Sequence, residues 1–188
     1  MDKKDIRRRI KVQKSMLSNE ERSDAAARVF EMLEKSAAFK MADRILMYHS
    51  LPDELSTGDF IAKWHTRKHF FLPRVNGVEL EVLPYDRSSL RLGAFHIEEP
   101  QGDDIVPVEQ MELVVVPAVA YDRSGNRVGR GKGYYDRLLS ACKAMKVGVG
   151  YDFQLVDEID AETHDVPVDL VITESHFITV KRRKPGLS

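Results

Sequence analysis

Cysteine is almost absent. Cys142 stands alone among 188 residues, which excludes an internal disulfide and any metal cage built from several thiolates. A reducing compartment is therefore allowed, and the cytoplasm is the expected location. Long apolar runs are missing as well: the stretch from Leu113 to Ala120 is short, contains Pro117, and falls well below the roughly 18 residues of a membrane span. The start, MDKKDIRRRIKVQK, is basic but lacks the apolar centre of a secretory signal, and Asp2 and Asp5 argue against a mitochondrial presequence. Charge of one sign is also lacking. With 29 basic and 30 acidic residues, the chain has no electrostatic footprint of a dedicated nucleic-acid binder, so any anion site must be local.

What is present describes a folded unit. A hydrophobic fraction of 43% and a charged fraction of 31% exclude global disorder, and the length suits one domain, taken as residues 1–180. Residues 181–188 form a basic tail that is expected to be mobile. There is no repeat at a fixed period.

Ile6 and Ile10 recur at helical spacing among basic residues, which predicts an amphipathic first helix with Met16 and Leu17 further along its face. Ser18 and Glu21 form a capping-box pattern for a second helix ending near Ala38, with Val29, Met32 and Leu33 on its core face. The runs 45–48, 70–72, 113–116, 147–149 and 170–172 read as buried strands. Helical segments over 57–66 and 134–145 lie between them. That alternation predicts an α/β fold, a mostly parallel sheet flanked by helices in three Rossmann-like layers. Residues 78–83 alternate apolar and charged instead, as a half-exposed antiparallel or edge strand does.

The segment from Gly125 to Asp136, GNRVGRGKGYYD, carries the most chemistry. Gly129, Gly131 and Gly133 leave room for positive φ and for N–H groups to face an anion at a helix start. Arg127, Arg130 and Lys132 add fixed positive charge, and Lys132 could follow a phosphoryl group during transfer. The spacing matches neither the P-loop nor the dinucleotide fingerprint. The other reading is an irregular strand-to-helix loop with solvated basic residues.

Other candidates are weaker one by one. Asp136 either holds a Mg²⁺ ion beside a polyphosphate or serves the helix dipole. Asp165 either completes that metal site or shapes its turn. Glu54, with His49 in the loop after the first strand, lies where parallel α/β sheets bind ligands, although a loop glutamate is often only solvated. Lys3 and Arg7 share one face of the first helix and either reach a nucleotide or face water. His65 and His69 have zinc-like spacing but no carboxylate between them, and Cys142, Trp64, Leu138 and Leu139 read as core.

Together these residues resemble the 5-formyltetrahydrofolate cyclo-ligase family. The resemblance runs from Lys3-Lys4-Asp5-Ile6-Arg7 through 48–54, Leu72-Pro73-Arg74 and Ile97-Glu98-Glu99-Pro100 to 126–136 and 164–169, nearly the whole chain. It implies a ligase that uses ATP and Mg²⁺ to close 5-formyltetrahydrofolate, with or without a polyglutamate tail, into 5,10-methenyltetrahydrofolate. It assigns ATP to Lys3, Arg7, Arg127, Val128, Gly129, Arg130, Gly131, Lys132, Gly133, Tyr134 and Tyr135. It assigns Mg²⁺ to Asp136 and Asp165, and the folate to His49, Glu54, Arg130, Gly131, Lys132, Gly133 and Tyr134. Arg130 and Lys132 are the expected catalytic pair. Phe95 departs from the family, where many relatives carry tryptophan.

A monomer acting without nucleic acid or membrane is expected. Three rival readings remain at this stage: another phosphate-ligand enzyme such as a sugar-phosphate isomerase or CoA-dependent transferase, a nucleic-acid binder using its basic ends, and a folate carrier with little turnover.

Overall fold

The computed structural model describes residues 2–87, 90–92 and 98–181. Phe95 and residues 182–188, on which two of the expectations fall, lie outside this set.

Among the described residues, five parallel strands form the middle of a seven-stranded sheet: β1 (Arg44–Leu46), β2 (His69–Asn76), β6 (Leu113–Val116), β9 (Met145–Val149) and β10 (Leu170–Thr173). The edge strands β3 (Glu79–Pro84) and β11 (His176–Thr179) are antiparallel, and the order is β11-β10-β9-β6-β1-β2-β3. The alternating segment 78–83 thus forms an edge, as its pattern requires. Two small ribbons stand apart, β4 (Arg91–Leu92) with β5 (Glu98–Glu99) and β7 (Ala120–Tyr121) with β8 (Arg127–Val128).

The period of two sorts the apolar strand residues into two cores. Ile45, Phe70, Leu113, Val147 and Leu170 face the helices α2 (Asn19–Lys35), α3 (Ala37–Met41) and α4 (Gly58–Trp64). Leu46, Phe71, Val114 and Val171 point the other way, toward Leu139 of α5 (Tyr134–Ser140). A strand such as Leu113–Val116 is apolar throughout because both of its faces are covered. The first helix, α1 (Lys3–Ser15), forms a third cluster, in which Ile6 and Ile10 meet Ala120, Val128 and Ile159. Among the described residues, no helix is long and apolar enough to cross a membrane.

Two helix ends differ from expectation, each for a local reason. Ser18 and Glu21 do form a capping box, but α2 stops at Lys35 because Ser36 donates to the Leu33 carbonyl and accepts from the Phe39 N–H, ending one helix and capping the next. The helix expected over 134–145 ends at Ser140. Lys146 draws the Cys142 and Ala144 carbonyls out of helical pairing, and Met145 already belongs to β9. Met16 is 76% exposed and takes no part in the α1 core face.

Candidate active site

From β1 the chain moves to β2 on one side, whereas from its neighbour β6 it moves to β9 on the other. The strand order therefore reverses between β1 and β6, and loops diverging there leave a crevice beyond the strands' carboxyl ends. A cleft of about 930 Å³ occupies this position, bordered by the β1 loop through Glu54 and by Pro117 and Ala118 after β6.

The opposite wall is the loop joining β8 to α5. Gly131 and Gly133 adopt φ of 99° and 70°, values that L side chains resist, and Gly133 is the N-cap of α5. The expectation of positive φ does not extend to Gly129. The loop is braced from behind: Arg137 donates to the Lys132 carbonyl at 2.9 Å and from Nε to the Val78 carbonyl at 3.0 Å. The β2–β3 hairpin is thereby tied to the helix start. Its Pro73, Val75 and Leu80 supply an apolar side of the cleft.

Cations from three elements converge on this loop. On α1, Arg7 Nε donates to the Gly129 carbonyl at 2.8 Å and Lys3 pairs with Asp165 at 2.6 Å. Arg127 is buried, donates to Asp136 at 2.7 Å and lies 5.9 Å from the Tyr135 ring centre, while its Nε has no partner among the described residues. Arg130 is half exposed and pairs with Asp53 at 2.9 Å, with Glu54 at 3.9 Å. Lys132 is exposed at the cleft edge.

Asp136 and Asp165 border the same cleft. Asp136 accepts from Arg127 and the Val166 N–H, and Asp165 from Lys3 and the Glu162 N–H. Burial raises the Asp165 carboxyl, but the Glu162 N–H and Lys3 outweigh it and hold the group below its ordinary value. Two carboxylates beside the glycine loop are hard-oxygen donors that fit Mg²⁺, which commonly takes one or two carboxylates and completes its shell with phosphate and water. Among the described residues there is no group of three or more His, Cys, Asp and Glu arranged to hold a metal by themselves.

Glu54 sits deeper, its side chain 11% exposed. Burial raises its pKa; the Leu51 N–H, donated at 2.8 Å, and the charges of Arg130 and Lys14 pull it down without cancelling that effect. Beneath it, Tyr48 donates to the Leu55 carbonyl, and Thr57 to the Tyr48 carbonyl, fixing the base of the loop.

All but one of the residues assigned from the sequence border this one cleft. Val128 instead has its side chain buried in the α1 cluster. The sequence reading missed Asp53, Lys14 and the hairpin wall of Pro73, Val75 and Leu80. A signal for Lys14 existed: Lys3, Arg7, Ile10 and Lys14 lie on one helical stripe. The hairpin wall had none, because its contribution depends on how far the edge ribbon rises beyond the sheet.

Residues 1–174 match the model of the 5-formyltetrahydrofolate cyclo-ligase family. A 5-formyltetrahydrofolate cyclo-ligase of Escherichia coli K12 is 32% identical over 72% of this chain and 80% of its own. The mouse 5-formyltetrahydrofolate cyclo-ligase is 26% identical over 92% and 93%. A solved structure, the 5,10-methenyltetrahydrofolate synthetase of Aquifex aeolicus, superposes with a TM-score of 0.88 and 32% identity, covering 99% of this chain and 96% of its own.

Proposed function

The chain belongs to the 5-formyltetrahydrofolate cyclo-ligase family, and from that membership we propose that it closes 5-formyltetrahydrofolate to 5,10-methenyltetrahydrofolate with ATP as the second substrate. The observation that carries this reading is the sharing of one cleft by two unlike halves: the glycine loop with Lys3, Arg7, Arg130 and Lys132, and the buried Glu54 opposite an apolar hairpin. Its volume lies near the top of the roughly 300–1,000 Å³ of ordinary ligand pockets, as a site for two substrates requires.

The chemistry explains the need for both halves. The formamide carbon is a weak electrophile because N5 donates into its carbonyl, and cyclisation must expel that oxygen. In the proposed reaction the formyl oxygen attacks the γ-phosphorus of ATP, and ADP leaves with the electron pair of the broken bond. N10 then adds to the resulting iminium carbon, loses its proton, and phosphate departs with the former carbonyl oxygen. No covalent enzyme intermediate is required.

The protein's part is alignment and charge stabilisation. The backbone N–H groups at the α5 start face the phosphates, and no side chain caps this helix. Lys132, exposed on the loop, follows the transferring group, while Arg130 turns from Asp53 to the γ-phosphate oxygens. Asp136 and Asp165 would hold Mg²⁺, which when bound neutralises charge on the β and γ oxygens. Glu54 accepts hydrogen bonds from the N–H groups of the reduced pterin, and Pro73, Val75 and Leu80 cover its apolar parts.

The test is ultraviolet absorbance of the conjugated methenyl product, with ATP, Mg²⁺ and 5-formyltetrahydrofolate left out in turn. Product that forms only when all three are present is the expected result. Undiminished product without ATP, or none in the complete mixture, overturns the reading.

A further inference from the structure

Lys14 is a buried lysine that the proposed mechanism leaves unused. It sits in the last turn of α1, 4% exposed, with its ammonium 3.7 Å from Asp53 Oδ2. Asp53 thereby faces two cations, Lys14 from below and Arg130 from the cleft at 2.9 Å. They differ in freedom. Arg130 is 48% exposed at its side chain and can swing away, whereas Lys14 is 5% exposed and enclosed. Arg22 of α2 secures the same corner, donating to the Lys14 carbonyl at 2.7 Å and to the Pro52 carbonyl at 3.3 Å.

A conflict follows if Arg130 is drawn to a phosphate, a step that rests on the proposed function. Asp53 and Glu54 are adjacent carboxylates, and Glu54 is poorly solvated. Losing the arginine would leave two like charges facing each other, and the cheapest relief would be a proton on Glu54. A protonated Glu54 accepts substrate N–H groups less well. We propose that Lys14 is a positioning residue, the resident counter-ion that holds the Asp53–Glu54 loop in place and keeps a positive charge beside Glu54 when Arg130 turns to phosphate.

The charges around Glu54 are consistent with this role. Lys14 comes from α1, Arg130 from the glycine loop and Asp53 from its own loop. The hydroxyls of Tyr48, Tyr121 and Tyr135 also sense its charge, from the loop after β1, from β7 and from α5. Burial lowers the Lys14 pKa and Asp53 opposes that fall, as expected of an ammonium kept charged by the carboxylate it serves. Because Lys14, Arg7 and Lys3 share one helix, the counter-ion is rigidly connected to the side chains assigned to the nucleotide.

Two measurements on the full chain test the proposal. First, the acidic limb of kcat/KM for 5-formyltetrahydrofolate in Lys14→Met is expected to move up by about one pH unit. That is a loss of about tenfold below the limb and little change above it. Lys14→Arg, which keeps the charge, should restore the wild-type limb; a purely structural role would lower activity evenly at all pH values. Second, in the ligand-free chain the Glu54 carboxyl is titrated by carbon-13 NMR in Arg130→Met and in Lys14→Met/Arg130→Met. Glu54 is expected to titrate at least half a unit higher in the double variant. An equal Glu54 titration in the two proteins overturns the proposal whatever the catalysis does. A moved titration in a chain that makes no methenyl product leaves Lys14's role standing and removes the functional reading.

Discussion

The buried guanidinium of Arg127 and the carboxylate of Asp136 meet at 2.7 Å across the glycine loop. They join the last strand before the loop to the first turn of the helix after it. The loop between them cannot open without parting a charge pair whose arginine is only 4% exposed at its side chain. Asp136 also accepts from the Val166 N–H, which ties the same point to the segment carrying Asp165.

Removing one partner is therefore expected to cost more than removing both. Asp136→Ala should destabilise the fold by about 3 kcal/mol, since it leaves a buried cation unpaired, whereas Arg127→Met with Asp136→Leu should recover most of that loss. Urea unfolding midpoints of the three proteins check this.

Lys132 and Arg130 are exposed, so their substitution should separate catalysis from folding. Lys132→Ala and Arg130→Ala are expected to change stability by no more than about 0.5 kcal/mol. Each should slow ATP cleavage in a single turnover, Arg130→Ala by about 1.5–3 kcal/mol of lost charged hydrogen bonding. Unchanged single-turnover rates in both would remove them from the reacting centre.

Glu54 gives a pH dependence with a defined sign. Its folded pKa is raised by burial, so the protonated form favours folding; that contribution is present below the ordinary glutamate value and is lost as pH rises through the folded value. Glu54→Gln keeps an acceptor for the Leu51 N–H without a charge. It is expected to match the wild type near about pH 4 and to be the more stable protein near about pH 8. Thermal unfolding at the two pH values reads the difference, and a gap that widens toward acid would contradict it.

Glycine substitutions should rank by backbone geometry. Gly125 has φ of 83° and a Cβ there would meet the Val168 carbonyl at 2.3 Å, so Gly125→Ala is expected to cost at least about 2 kcal/mol. Gly133→Ala, at φ of 70° and with only the movable Arg137 end in the way, should cost about 1–2 kcal/mol and distort the phosphate loop. Gly58, with open space at the start of α4, should accept alanine with a gain of a few tenths of a kcal/mol. Denaturant titration of the three variants gives the order.

The sheet was legible because its signal is local. Runs such as 113–116 are apolar in every position, and only a strand covered on both faces needs that pattern. The capping box at Ser18 and Glu21 was equally plain. Helix ends were less so, because the stop at Ser140 depends on Lys146 reaching back to carbonyls from the next strand. In the site, the glycine loop announced itself through residue types that are costly as filler. Asp53 did not, because its significance lies in being placed between Lys14 and Arg130, 39 positions before it and 77 after. No sequence window contains that triad.

The placement of α1 has a consequence for biosynthesis. Lys3 leaves the ribosome 162 positions ahead of its partner Asp165, and Arg7 waits 122 positions for the Gly129 carbonyl. At translation speeds of about 5–20 residues per second the leading helix spends on the order of ten seconds without its contacts. A nascent chain can thus collapse around its first strands while the cleft still lacks one wall, which closes only once Gly129 and Asp165 have followed.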